Sequence, residues 1–117
     1  MNNHSRKLLS DVLDAANAVC DWCDQRTFDE YVSDRQFRRA IEREFEIVGE
    51  ALARLRRTDS VLAGSIDHLN RVVDFRNRII HGYDSVDDAM VCGFAMERLP
   101  QLVIEVNALL HSGDLTE

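Results

Sequence analysis

From Leu8 to Leu110 the apolar residues of this 117-residue chain recur at intervals of three and four, interrupted by one proline and four glycines. That period stacks side chains along one face of an α-helix, so the chain is expected to be helical throughout. Leu8, Leu9, Val12, Ala15, Ala16, Val19, Trp22 and Cys23 form one stripe and predict a first helix over about residues 5–25. Thr27 with Glu30, and Ser33 with Gln36, have the spacing of a capping box, in which a hydroxyl and a longer side chain each satisfy a free amide. They predict a short turn at about 28–32 and a long helix over about 34–57, on which Phe37, Ala40, Ile41, Phe45, Ile47, Val48, Ala51, Leu52 and Leu55 share a face.

A polar break at Thr58, Asp59 and Ser60 precedes the short apolar piece Val61–Gly64. Ser65 is then expected to cap a helix over about 66–81, with Gly82 ending it in the left-handed conformation that glycine tolerates. Ser85 paired with Asp88 opens a last helix over about 86–111, in which Pro100 removes a backbone donor and should produce a kink. Connections this short favour antiparallel neighbours. The expected fold is all-α: an up-and-down antiparallel bundle of four main helices plus short helical turns, forming a single domain over residues 1–117.

A net charge of −7 argues against general coating of nucleic acid, because non-specific affinity for phosphate comes from accumulated Lys and Arg. The charge is uneven, however. Residues 35–78 carry ten basic groups, all Arg, against seven acidic ones, whereas three basic and seven acidic groups precede them and one and seven follow. Arg forks bind phosphate bidentately, so the central region can meet RNA while the flanks repel it; solvated helix faces account equally well for any single Arg outside the segment Arg76–Tyr83. No apolar signal region opens the chain and no stretch reaches the ~18 apolar residues of a membrane span, which predicts a cytoplasmic protein with no membrane association. Three cysteines without a disulfide-framework spacing fit a reducing compartment. Cys20-Asp-Trp-Cys23 lacks a second pair of ligands and is read as core, as are Trp22 and the phenylalanines; His4, His68 and His111 are read as surface residues.

The chemistry is concentrated in Arg76-Asn77-Arg78-Ile79-Ile80-His81-Gly82-Tyr83. On a wheel at about 100° per residue Ile66, Leu69, Val72, Val73, Ile79 and Ile80 share an arc, and Arg76 falls in the middle of it. A permanent charge there is costly unless it is paired or opens onto a cleft. Glu44 is the one charge inside the apolar arc of the preceding long helix, and pairing Arg76 with Glu44 would satisfy both without any function. Asn77 and His81, four apart, are neighbours, whereas His81 is about 140° from Arg76, so one straight helix does not aim both at a point. The helix must end near Gly82, or two copies must bring their segments together. An Arg, a His near a helix C-terminus and a polar amide suit phosphodiester cleavage of RNA: the imidazole moves a proton and the guanidinium stabilises the charged phosphate.

Arg76-Asn77-x-x-x-His81-x-Tyr83 resembles the Arg-x-x-x-x-His-x-Tyr signature of the HepT-like branch of the HEPN superfamily, small helical ribonuclease toxins. Phe45-Glu46-Ile47-Val48-Gly49-Glu50-Ala51 resembles that branch's second-helix segment, and the Leu99-Pro100 step its last helix; the likeness spans about residues 7–110. The resemblance implies a homodimer and a metal-independent endoribonuclease site, built from both protomers' motifs, with Arg76 and His81 catalytic, Asn77 assisting, and no metal or cofactor. It also implies a type VII toxin–antitoxin system, whose partner is a minimal nucleotidyltransferase antitoxin of the MntA type. That antitoxin uses ATP to place AMP on the motif tyrosine, here Tyr83, adding charge and bulk beside the cleft. Glu44 stands where the resemblance leads one to expect a neutral or amide residue, and an ion pair with Arg76 would weaken the phosphate-binding role. Two other classes fit the same residues: a non-catalytic helical binding subunit of a two-component nucleotidyltransferase, and a purely structural dimerisation module.

Overall fold

The computed structural model describes residues 1–82 and 87–112. The elements run α1 (Asn3–Cys23), α2 (Phe28–Ser33), α3 (Arg35–Thr58), α4 (Ser60–Gly64), α5 (Leu69–His81), α6 (Asp88–Gly93), a π-helical turn (Phe94–Arg98) and α7 (Leu99–Ser112). No strand occurs among the described residues, and no helix among them is long and apolar enough to cross a membrane. The four main helices are α1, α3, α5 and the broken helix of α6, π-turn and α7. Long α3 packs against α1 on one side and α5 on the other, while α7 lies along α1.

Polar side chains set where each helix begins. Asn2 accepts the Ser5 amide, and Thr27 with Glu30 makes both bonds of the expected capping box. Two expected caps are displaced. Asp34, not Ser33, accepts the Phe37 amide at 2.9 Å, a carboxylate being the stronger acceptor for a helix N-terminus. Ser65 closes α4 rather than opening α5, which starts instead at His68, held at φ 61° and with no side-chain cap. Asp87 opens α6 by accepting the Met90 amide at 2.7 Å; Ser85, expected there, lies outside the described residues. Gly82 ends α5 at φ −136°, so no left-handed conformation is needed.

Pro100 breaks the last helix one turn early. A proline ring crowds the carbonyl four residues back, here that of Met96. The chain widens over Phe94–Arg98, where the Leu99 amide reaches the Phe94 carbonyl five residues away.

Inside the bundle Leu9, Val12, Val19, Ile41, Phe45, Leu52, Leu55, Val72 and Leu99 are essentially inaccessible. Phe75 and Phe94 stack at 4.2 Å between centroids, and Phe45 meets Phe75 edge-on at 5.1 Å. Trp22 and Phe28 depart from the expected core: they are 41% and 49% exposed, because each lies at a helix end beyond the facing stripe. Cys20, Cys23 and Cys92 are free and half-buried against the core.

Candidate active site

The rotation of α5 is set by its aromatic anchor. Phe75 is buried between Phe45 of α3 and Phe94 of the π-turn. The next residue, about 100° further round, is Arg76, which is thereby turned into the α3–α5 seam over Gly49. A Cβ built on Gly49 would lie 2.2 Å from the Arg76 Cβ and 2.5 Å from its Cγ. Glycine inside a helix costs roughly 1 kcal/mol relative to alanine, and this close approach accounts for it.

The guanidinium is tethered at both ends. Arg76 Nη2 donates to Glu50 Oε2 at 2.7 Å and Nη1 to Asn77 Oδ1 at 2.8 Å, while Nε is buried without a hydrogen-bond partner. Glu50 also accepts from Arg54 Nε at 2.9 Å. The Arg54 hydrogen bond, and after it the Arg76 charge, outweigh desolvation and hold the Glu50 carboxyl below its ordinary value. Arg76 retains 22% of its side-chain exposure. It opens onto a cavity of about 300 Å³ whose polar wall includes Asp11, Arg43, Glu46, Glu50 and Arg54. Glu50 is shared between two arginines, while Asp11 and Glu46 balance the wall's charge, so an oxyanion entering the cavity would compete with Glu50 for the guanidinium.

Glu44, the expected partner of Arg76, is not its partner. It lies six residues before Glu50, about 9 Å down the axis of α3, and lines a separate cavity with Asp11 and Asp14. Burial there pushes its carboxyl above the ordinary value, with Arg43 opposing. A helical wheel gives the angle of a charge but not its level, and the antiparallel register puts Glu50, not Glu44, level with Arg76. Sequence reasoning misses Glu50 for that reason, although it stands beside Gly49 in the Phe45–Ala51 segment.

Asn77, beside Arg76 on α5, accepts from its guanidinium through Oδ1. His81 is the last residue of α5 and is exposed. The cavity that takes in Arg76 reaches Ile80 and not His81, so a single chain does not bring the two together in it. Tyr83 lies outside the described residues. Burial raises all three thiols, that of Cys23 to about 11, which favours their protonated form. Among the described residues no group of three or more His, Cys, Asp or Glu is placed to hold a metal ion.

Residues 12–109 match the family described as "Ribonuclease HepT-like". Two proteins of Methanocaldococcus jannaschii are similar: "Putative RNase MJ0127", 22% identical over 90% of this chain and 86% of the relative, and "Putative RNase MJ1380", 26% identical over 86% and 92%. No solved structure matches the chain. With the family matched over most of its length, and the Arg76 to His81 segment inside the match, the chain belongs to the HepT-like ribonuclease family.

Proposed function

We propose that this protein is the toxin of a two-component type VII toxin–antitoxin system: a metal-independent endoribonuclease that cleaves RNA in a cleft shared by two copies of the chain. The observation that carries the reading is the division within α5. Arg76 is held in an open cavity and His81 is exposed at the helix end outside it, so a site needing both draws one from each protomer. In that cleft His81 takes the proton of the 2′-hydroxyl, whose oxygen attacks the adjacent phosphorus; the bond to the 5′-oxygen breaks, that oxygen takes the proton back from the imidazolium, and a 2′,3′-cyclic phosphate remains. Arg76 stabilises the charge on the pentacoordinate phosphate, and Asn77 and Glu50 hold its fork in place. The protein works in the cytoplasm as one helical unit over residues 1–117.

Control falls to a nucleotidyltransferase antitoxin of the MntA type. The Tyr83 phenol attacks the α-phosphorus of ATP, AMP is transferred and pyrophosphate leaves. Each AMP adds negative charge and a bulky base two residues beyond His81, which repels and blocks RNA.

The ion pair between Glu50 and Arg76 favours a second reading, a non-catalytic binding subunit of a two-component nucleotidyltransferase, because it offsets the charge that phosphate needs. Mixing two inactive variants separates the readings. Arg76→Ala and His81→Ala should each lose RNA cleavage, and co-refolding them in equal amounts should restore about a quarter of wild-type activity, since half the dimers carry one intact composite site. No recovery on mixing rules out the shared site, and unchanged cleavage in either variant rules out the nuclease reading.

A further inference from the structure

A second cavity, of about 340 Å³, lies between the end of α3, α4 and the start of α5. Arg56, His68, Asn70 and Arg71 form its polar wall, and no carboxylate lines it. That is unusual in a chain with 21 acidic residues against 14 basic ones. Arg56 Nη1 donates to Asn70 Oδ1 at 2.7 Å, which orients the guanidinium without neutralising it. The Arg71 guanidinium has no ion-pair or hydrogen-bond partner among the described residues, its backbone amide alone being engaged, with the His68 carbonyl. Asp67 lies 3.3 Å from His68 but is 72% exposed and forms no part of the cavity wall. Ala63, Ile66 and Leu69, all buried, close the back of the cavity and give it a fixed wall.

Arg56 and Arg71 both line this acid-free cavity, and Arg71 also borders a neighbouring one with Glu97 and Arg98; two arginines on one wall repel each other unless an anion lies between them, and Arg forks suit the oxygens of phosphate. Arg71 precedes Arg76 by five residues, about 7.5 Å along α5. The Arg56–Asn70 hydrogen bond lies six residues along the α3–α5 pair from the Glu50–Arg76 ion pair. We propose that this cavity is a second phosphate-binding site, in which Arg56 and Arg71 hold a phosphate of the RNA strand away from the one being cut. The choice of RNA over a free mononucleotide rests on the ribonuclease reading above. The site fixes the register of the strand and favours substrates that extend past the scissile bond.

The test uses full-length protein and a 2′-O-methyl RNA oligonucleotide, which binds and cannot be cleaved by 2′-hydroxyl attack. Its affinity is measured over a range of salt for wild type, Arg56→Gln, Arg71→Gln and the double variant, with amide spectra of His68 and Asn70 followed during titration. Both arginines are exposed, and thermal melts should show the variants as stable as wild type. The double variant should bind several-fold more weakly, with a salt slope shallower by about 0.7 for the one phosphate that the protein no longer neutralises. Inorganic phosphate should shift the His68 and Asn70 amides at millimolar concentration in wild type only. Unchanged affinity and slope in the double variant overturn the proposal, as do AMP-induced shifts at these amides with none from the oligonucleotide, which would assign the cavity to a mononucleotide. Cleavage of unmodified RNA, run in parallel, keeps the two ideas apart. A wild-type protein that binds through this cavity without cutting sinks the nuclease reading alone, and one that cuts with unchanged binding in the double variant sinks the second site alone.

Discussion

Gly49 gives up its side chain so that Arg76 can cross the α3–α5 seam: a Cβ on the first would stand 2.2 Å from the Cβ of the second. The obstruction is the root of the arginine, not its flexible end, so a rotamer change does not relieve it. Gly49→Ala must therefore shift α3 from α5, at a cost of about 1–3 kcal/mol despite alanine's better helix propensity. Urea denaturation measures this directly. Arg76→Ala in the same chain should not rescue it, because the offending Cβ remains, whereas Arg76→Gly should recover part of the stability. Equal recovery with both would show that the arginine's outer atoms are the obstacle.

If Arg76 holds an RNA phosphate, Glu50 competes with that phosphate for it. It accepts from Arg76 and Arg54 at once, so Glu50→Gln keeps the shape and removes the charge. RNA phosphate then meets two unopposed guanidinium groups. The variant should bind an uncleavable RNA several-fold more tightly and show a steeper salt dependence. Weaker binding would mean that Glu50 acts only by orienting Arg76.

Much of this site follows from helical periodicity alone, and its departures have physical causes. Periodicity places four long helices within a few residues and turns Arg76 inward. It reads Phe75 as core but leaves it out of the aliphatic arc, yet that ring sets the rotation of α5. It pairs Arg76 with Glu44, because a wheel carries no axial level and the register between helices is a tertiary property. The cap expected at Ser33 passes to its neighbour Asp34, the stronger acceptor, whereas the one expected at Ser65 has no side-chain replacement, because α5 begins after His68 in a left-handed turn that no local pattern announces. The Pro100 kink is legible in position but not in form, since the wide turn forms ahead of the proline.

If Tyr83 is the point of control, the antitoxin acts on a residue just past the end of α5. Incubating the protein with a cognate nucleotidyltransferase and ATP should raise its intact mass by whole multiples of AMP, and Tyr83→Phe should abolish the gain while preserving cleavage. A gain that survives in Tyr83→Phe would move the modification to another side chain, and no gain in wild type would remove this mode of silencing.

Glu44 and Glu50, on the same helix, should respond to pH with opposite signs. Burial raises the Glu44 carboxyl above 4.5, so the fold prefers its protonated form; that preference is fully present below the unfolded value and is lost as pH rises through the folded one. At pH 7 the ionised Glu44, beside Asp11 and Asp14, is a net cost, and Glu44→Gln should stabilise by up to about 0.5 kcal/mol. For Glu50 the Arg54 hydrogen bond and the Arg76 charge lower the carboxyl below 4.5, so its contribution is present above that value and disappears as pH falls through the folded one. Glu50→Gln should therefore lower the melting temperature at pH 7. Both differences should shrink as pH is lowered below 4.5, because the wild-type carboxyls then become neutral like the amides that replace them. Melting curves of the three proteins at pH 7 and pH 4 check the pattern, and shifts of the same sign at pH 7 would show that the local charges assigned to these two residues are wrong.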